Sequence, residues 1–182
     1  MEIKSILFYK LKIETFLMKR LVILQSKKHI THYKKYHFLN SDTILSLDPF
    51  VHFEVDKNKW NKITIKEICK SIDYNLAKKK SEKTIDDLIK NLNDFSKESK
   101  KNLEIGNYYA FQLWIVIGQI HYNYFIIKSI IKNLKPKNIL LYSNSINELI
   151  YDYRPNPSYV FAEVFLNSVF FDHKNHKIIK IK

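Results

Sequence analysis

The chain has 182 residues, a formal net charge of +13 and 46% hydrophobic residues. That length suits a single domain with a substantial core, and the hydrophobic fraction excludes a chain that is disordered throughout. Only two glycines are present, which argues against a glycine-rich phosphate-binding loop, because such loops need the backbone freedom of glycine.

The positive charge indicates an anionic partner: nucleic acid, an anionic membrane surface or an anionic small molecule. Most of the charge is lysine, and arginine occurs only as Arg20 and Arg154. Nucleic acid is therefore disfavoured, since base and phosphate recognition favours the bidentate guanidinium. Lysine-rich usage is also typical of a protein from an AT-rich genome, in which case the charge needs no ligand to explain it.

Residues 1–17 are predicted to be an N-terminal extension, and residues 18–182 a single domain. The apolar run at residues 6–9 is too short for a signal peptide. Cys69 is the only cysteine, which excludes an intramolecular disulfide and a thiolate metal site and fits a reducing cytoplasm. The domain opens with an apolar run that predicts a buried first strand at residues 21–25.

A polar, basic segment follows this strand. Ser26 and Lys27 lie in the turn, where we expect a polar or anionic ligand to bind. His29, His32 and His37 come next, but their spacing does not place all three on one helical face, and no acidic residue or cysteine completes a metal site. Basic, aromatic surface residues are the alternative interpretation.

A second strand is predicted at residues 43–47, ending at Asp48. Residues 50–56 alternate like an exposed strand, but Asp48 as cap and Pro49 at the first helical position favour a short helix. His52 has Glu54 and Asp56 nearby, which makes it a candidate acid/base residue. A solvated surface is the alternative for this histidine.

Residues 62–101 have a helical pattern. Thr64 and Glu67 form a capping-box sequence. The charge run at 78–83 predicts a solvated turn, and Thr84 is predicted to cap a second, amphipathic helix.

The longest helical pattern covers residues 108–134. It has no formal charge from Tyr108 to Ile127, so a membrane span competes with a helix buried between the sheet and other helices. Polar side chains around the helix, including Gln119 and His121, favour the buried helix, in which they would need hydrogen-bond partners.

The segment 135–145, Lys-Pro-Lys-Asn-Ile-Leu-Leu-Tyr-Ser-Asn-Ser, follows that helix. Pro136 ends the helix, residues 139–142 predict a strand covered on both faces, and Ser145 with Glu148 forms a capping box for the next helix. A further helix is predicted from Pro157 onward, then a polar turn at 172–176 and a last strand at 177–182. That turn contains an aspartate and two histidines, so a metal site competes with an ordinary solvated turn.

Together these elements predict a three-layer, Rossmann-like α/β domain, with a small, mostly parallel sheet flanked by helices. In such sheets ligands bind at the carboxyl ends of the strands.

The arrangement of residues 18–182 resembles the N-terminal half of bacterial GT-B-type glycosyltransferase-like proteins that make capsule, lipopolysaccharide or other surface carbohydrate. The similarity is carried by the 18–24 start, Met-Lys-Arg-Leu-Val-Ile-Leu, the 43–48 strand, and the long helix followed by Lys-Pro-Lys-Asn-Ile-Leu-Leu-Tyr-Ser. It is a similarity of arrangement, with no diagnostic motif. It implies that an acceptor binds this half, and that a second domain, which would follow residue 182, holds the nucleotide sugar.

By position, the resemblance places the substrate-binding residues at the strand ends: Ser26, Lys27, Ser143, Asn144 and Ser145. A general base would remove the acceptor hydroxyl proton, and Asp48 is the first candidate, followed by His29 and His52. No metal and no cofactor are expected. The expected partners are a glycan or lipid-linked acceptor, a nucleotide sugar if a second domain or chain supplies its site, and the inner, anionic membrane face.

Two other interpretations remain open. One is a non-enzymatic binding or assembly module that contacts nucleic acid or a protein through its basic faces. The other is an inactive, truncated remnant of the enzyme.

Overall fold

A computed structural model describes residues 19–98, 104–144 and 157–181. It contains five strands and six α-helices in these ranges. The strands are β1 (Arg20–Leu24), β2 (Thr43–Ser46), β3 (Lys62–Ile63), β4 (Asn138–Asn144) and β5 (His176–Ile181). The helices are α1 (Lys27–Tyr36), α2 (Pro49–Lys57), α3 (Ile65–Ile68), α4 (Ser71–Glu98), α5 (Ile105–Ser129) and α6 (Pro157–Leu166), with a π-helical turn (Ile130–Leu134) after α5.

The strands form one sheet in the order β3-β2-β1-β4-β5, and every neighbouring pair is parallel. The α/β fold class is confirmed, and so are the four predicted strands, within two residues at each end. The two-residue β3 was not predicted, because it lies inside the segment with a helical pattern and is too short to show a period of its own.

Helices cover both faces of the sheet, which explains the continuous apolar runs in the strands. Leu21 and Ile23 of β1 face a core shared with α5 and α6, while Val22 and Leu24 face a second core shared with α1 and α2. The same alternation occurs in β4, where Ile139 and Leu141 face the first core. The predicted three layers are confirmed.

A buried ion pair holds the amino end of β1. Both Nε and Nη2 of Arg20 donate to the carboxylate of Asp42, at 2.8 and 2.6 Å, and the hydroxyl of Tyr33 donates to the same carboxylate at 2.6 Å. Asp42 is only 3% exposed, so it would be costly to bury without these donors. The network joins β1, α1 and the start of β2.

The short helices begin as their sequences predict. Asp48 caps α2, so the helical interpretation of residues 50–56 is confirmed, and Thr64 and Glu67 form the predicted capping box at α3. The predicted solvated turn at residues 78–83 is wrong, because α4 runs through it without interruption. The Thr84 hydroxyl donates to the Lys80 carbonyl at 2.9 Å rather than capping a helix. Lysines favour helix, and no glycine or proline interrupts this run.

The prediction that the long helix is buried holds only for its C-terminal turns. Phe125 and Ile127 lie in the core, but Tyr108, Phe111 and Trp114 are 77, 69 and 58% exposed. The first half of α5 packs on α4. Among the described helices, none has the length and apolar character needed to cross a bilayer.

His121 and Gln119 lack the hydrogen-bond partners expected for a buried helix. Within the described residues, the side chain of His121 forms no hydrogen bond, and the Oε1 atom of Gln119 is buried without a donor. His121 instead lines a groove of about 630 Å³ between α5 and α6, together with Lys80 and Glu163. Burial lowers the pKa of His121 from its ordinary value, and the charge of Lys80 acts in the same direction.

The transition into β4 follows its sequence closely. The π-helical turn ends at Leu134, and Lys135 adopts a left-handed conformation with φ of 46° before Pro136. The predicted helix stop is therefore confirmed. The predicted extension at 1–17, the Ser145–Glu148 capping box and the helix after it lie outside the described residues.

The two glycines of the hairpin formed by α4 and α5 give a matched pair of stability predictions. A Cβ at Gly106 would lie 2.8 Å from the Cα of Ile89, whereas a Cβ at Gly118 would have no neighbour within 4 Å. Gly106→Ala should lower the free energy of unfolding by about 1–3 kcal/mol through overpacking. Gly118→Ala should raise it by about 0.5–1 kcal/mol through helix propensity. Urea denaturation measures both, and a Gly106→Ala variant that is as stable as the parent chain or more stable would contradict the close packing of α4 against α5 at Gly106.

His176 gives a pH prediction. Its Nδ1 accepts a hydrogen bond of 2.9 Å from the backbone amide of Asp172. Burial lowers its pKa below the ordinary 6.5, against the opposing charge of Asp172. The pKa values of His37 and His121 are also lowered, mainly by burial. As the pH falls through 6.5, the unfolded chain therefore binds more protons than the folded protein does. The stability that is present above that pH is lost progressively, until the histidines of the folded protein also protonate.

We therefore expect the free energy of unfolding to decrease from about pH 7.5 to about pH 5.5. His176→Asn places an amide oxygen near the Nδ1 position, so it can still accept the Asp172 amide while it no longer titrates. The decrease should be smaller in this variant. An identical decrease in both proteins would show that His176 titrates alike in the folded and unfolded states.

Candidate functional site

The sheet reverses its direction of growth between β1 and β4. From β1 the chain adds β2 and then β3 on one side, and it later places β4 and β5 on the other. The carboxyl ends of β1 and β4 lie side by side at this reversal point, which is where open α/β sheets form their binding crevice. We refer to the residues at this place, Gln25 to His29 and Ser143 to Asn144, as the β1/β4 crevice.

The N-terminus of α1 forms one wall of the crevice. Ser26 is its N-cap, with an extended backbone, and its hydroxyl accepts the His29 amide at 3.3 Å. Lys27 and Lys28 occupy the first two helical positions and are exposed. The positive end of the helix dipole favours an anion, and the two ammonium groups add to that preference.

His29 connects the two strands. Its ring is fully buried, Nδ1 accepts the amide of Gln25 at 3.2 Å, and Nε2 lies 2.9 Å from Oδ1 of Asn144. Because Nδ1 accepts, Nε2 carries the proton and donates to Asn144. Both ring nitrogens therefore have hydrogen-bond partners, and the ring positions Asn144. The structure places His29 at the predicted location, and its role as a general base stays a prediction.

The wall contributed by β4 is more buried than its serine-rich sequence suggests. Ser143 is fully buried and its hydroxyl donates to the carbonyl of Asn144 at 3.1 Å, while Asn144 is half-buried. Gln25, which was not predicted as a site residue, donates from Nε2 to the carbonyl of Tyr142 at 3.4 Å. Its position directly after a buried strand was the available signal. Ser145, also predicted to bind substrate, lies outside the described residues.

Asp48 lies at the same edge of the sheet, after β2. The amide of Leu47 donates to the carbonyl of Leu24 at 3.1 Å, which holds the exits of β1 and β2 together. The Lys27 ammonium lies 5.9 Å from the centre of the Phe50 ring, so the starts of α1 and α2 are adjacent. Oδ1 of Asp48 accepts the amides of Phe50 and Val51, at 2.8 and 3.2 Å. Its second carboxylate oxygen forms no hydrogen bond with the described chain.

His52 is placed elsewhere. Its Nε2 lies 3.6 Å from Asp56 and 3.4 Å from Lys62, on an exposed part of α2. Asp56 also pairs with Lys62, and this ion pair lowers the pKa of the exposed Asp56 carboxyl. This surface ion-pair cluster corresponds to the solvated alternative, and the structure does not bring His52 into the β1/β4 crevice.

The histidine and aspartate clusters do not form a metal centre. Across residues 19–98, 104–144 and 157–181, no group of three His, Cys, Asp or Glu side chains could hold a metal ion. In the 172–176 turn, Asp172 accepts the backbone amide of Lys174 at 3.0 Å and the side-chain amide of Asn175 at 2.7 Å. These bonds lower the pKa of Asp172 and organise an ordinary turn.

Comparisons of the chain with protein-family models, curated proteins and solved structures gave no match.

Two substitutions of Asp48 distinguish the stability contributed by its helix cap from the stability contributed by its charge. Asp48→Ala removes the acceptor for two backbone amides and should lower the free energy of unfolding by about 1 kcal/mol. Asp48→Asn keeps a capping oxygen and should stay within about 0.5 kcal/mol of the parent chain. Chemical denaturation of both variants is the measurement. Equal losses would mean that the charge, and not the cap, stabilises this turn.

Proposed function

We propose that this chain is the acceptor-side domain of a glycosyltransferase-like protein in bacterial surface-polysaccharide synthesis, and that its acceptor binds in the β1/β4 crevice. The observation that carries the proposal is the position of the α1 N-terminus, Asn144 and the Asp48 turn at the carboxyl ends of three neighbouring strands, β1, β4 and β2. The resemblance of the strand and helix order to the GT-B N-terminal half supplies the reaction class.

The crevice favours an acceptor that carries an anionic group. The start of α1, capped by Ser26, carries the positive end of the helix dipole, and Lys27 and Lys28 occupy its first turn. An acceptor with a single lipid-linked sugar carries its phosphate on the sugar that is extended. The proposed pose places that phosphate at the start of α1 and the sugar toward Asp48.

Asp48 is the proposed general base. Its free carboxylate oxygen takes the proton from the acceptor hydroxyl as that oxygen attacks the anomeric carbon of the donor. The bond from the anomeric carbon to the nucleoside diphosphate breaks, and the diphosphate leaves with the electron pair. The donor is held by a second domain or a partner chain. Proton removal of this kind contributes about 10²–10⁴-fold to the rate.

The proposed location is the cytoplasmic face of the membrane, where lipid-linked acceptors present their head groups. The positive charge of the chain supports it, because juxtamembrane lysines are attracted to anionic lipids.

Binding of a short-chain, diphosphate-linked sugar, measured by isothermal titration calorimetry, tests the proposal. Lys27→Met should weaken binding about 5-fold, since it removes one charge near the phosphate. Lys90→Met removes the same charge from an exposed site on α4 and should leave the affinity unchanged. Asp48→Asn should change affinity little, because a base acts on the transition state.

Two outcomes would contradict this function. One is the absence of saturable binding to the diphosphate-linked sugar. The other is binding that depends on total charge alone, with equal losses in the two lysine variants and a steep salt dependence for any polyanion. The second outcome would favour the non-enzymatic basic module.

A further inference from the structure

The groove between α5 and α6 lies on the opposite face of the sheet from α1 and α2. Its volume of about 630 Å³ is within the range of small-molecule sites. The helices α5 and α6 pack on the core to which Leu21 and Ile23 contribute, whereas α1 and α2 pack on the core that contains Val22 and Leu24. A ligand in this groove would therefore bind separately from one in the β1/β4 crevice.

The apolar lining of this groove is mainly aliphatic. It is formed by Val116 and Ile120 of α5, by Val160 and Val164 of α6, and by Val169 in the segment after α6. Val116 and Ile120 lie one helical turn apart and are exposed, and Val169 is 88% exposed. Apolar side chains that share one exposed groove indicate a binding surface, because contiguous apolar surface left in water is unfavourable.

Two hydrogen-bond donors line the same groove on its α4 side, Lys80 of α4 and His121 of α5. Burial lowers the pKa of His121 and the charge of Lys80 acts in the same direction, so the two side chains lie near each other. Lys80 is exposed and forms no ion pair with the described chain. A neutral imidazole has one N–H to donate. An ammonium group beside an imidazole N–H suits a carboxylate, which accepts from both.

A carboxylate of the protein also lines the groove, that of Glu163 on α6. Its Oε1 atom lies 3.7 Å from the ammonium group of Lys180 on β5, which compensates its charge. Because Glu163 is paired, the ammonium group of Lys80 decides the electrostatic preference of the groove. The preferred head group is therefore anionic and not cationic.

We propose that the groove binds one molecule of a fatty acid, with the carboxylate at Lys80 and His121 and the alkyl chain along the aliphatic lining. The imidazole N–H donates to the carboxylate, and the ammonium group supplies the opposite charge. The chain removes the exposed side chains of Ile120 and Val169 from water, which is the source of most of the binding free energy. A groove of this volume between two helices fits a single chain, which favours the monomeric acid over the surface of a bilayer.

Fluorescence titration of the full chain with cis-parinaric acid, followed by displacement with saturated fatty acids below their critical micelle concentrations, tests the inference. Binding should saturate at one molecule per chain. The affinity should rise by about threefold for each methylene group added between octanoate and dodecanoate, because each group transfers from water to the apolar lining.

Four variants locate the bound acid. Lys80→Met keeps the apolar stem and removes the charge, so it should weaken dodecanoate binding about fivefold. Lys90→Met removes the same charge from an exposed position further along α4 and should leave the affinity unchanged. Ile120→Asn should weaken binding about tenfold, because its amide meets the alkyl chain. Its thermal midpoint should change little, since Ile120 is exposed. Glu163→Gln should not weaken binding, whereas a cationic ligand would need that carboxylate.

Several results would overturn the inference. One is the failure of millimolar dodecanoate to displace the fluorescent acid, and another is an affinity that does not depend on chain length. Binding to phosphatidylglycerol vesicles without binding of monomeric dodecanoate would assign this face to a membrane. A dimer that Ile120→Asn dissociates would show that a second copy of the chain covers the groove. Weakening by Lys27→Met in place of Lys80→Met would move the acid to the β1/β4 crevice. The inference does not rest on the proposed function, so the loss of either leaves the other standing.

Discussion

The parallel pairing of β4 with β1 is the constraint on which the rest of the structure depends. It brings together two segments separated by more than 100 residues, with Ile23 opposite Leu141, and makes β1 an interior strand covered on both faces. It also creates the reversal point of the sheet, where polar residues that follow different strands become neighbours. The bond from His29 to Asn144 closes this junction across the strand ends.

The sequence predicted the layers of the fold well, because its strongest signals are local. Continuous apolar runs identified β1, β2 and β4, and Asp48 followed by Pro49 identified the start of α2. The errors concern features that no local pattern specifies. A lysine run is compatible with a turn or with an exposed helix, so the continuity of α4 was missed. The exposure of Trp114 depends on how far α5 extends beyond the sheet.

Which of the candidate residues lie near one another was predictable, but their individual contacts were less so. Parallel strands bring their carboxyl ends to one edge, so Ser26, Asp48 and Asn144 could be placed near one another. The role of His29 depends on its distant partner Asn144, which a single sequence cannot reveal. His52 shares a short helix with Asp48, but its place along α2 puts it beside Asp56 and Lys62.

The proposed function depends on ligand binding at the β1/β4 crevice. Mapping of backbone amide chemical shifts tests this binding most directly. Titration with a diphosphate-linked sugar should shift the amides of Lys27, Lys28 and Asn144 together, with one saturation curve. It should leave the α4 amides near Lys90 unchanged. Shifts spread over the lysine-rich surface, with no common saturation and no response at Asn144, would contradict a binding site at this junction.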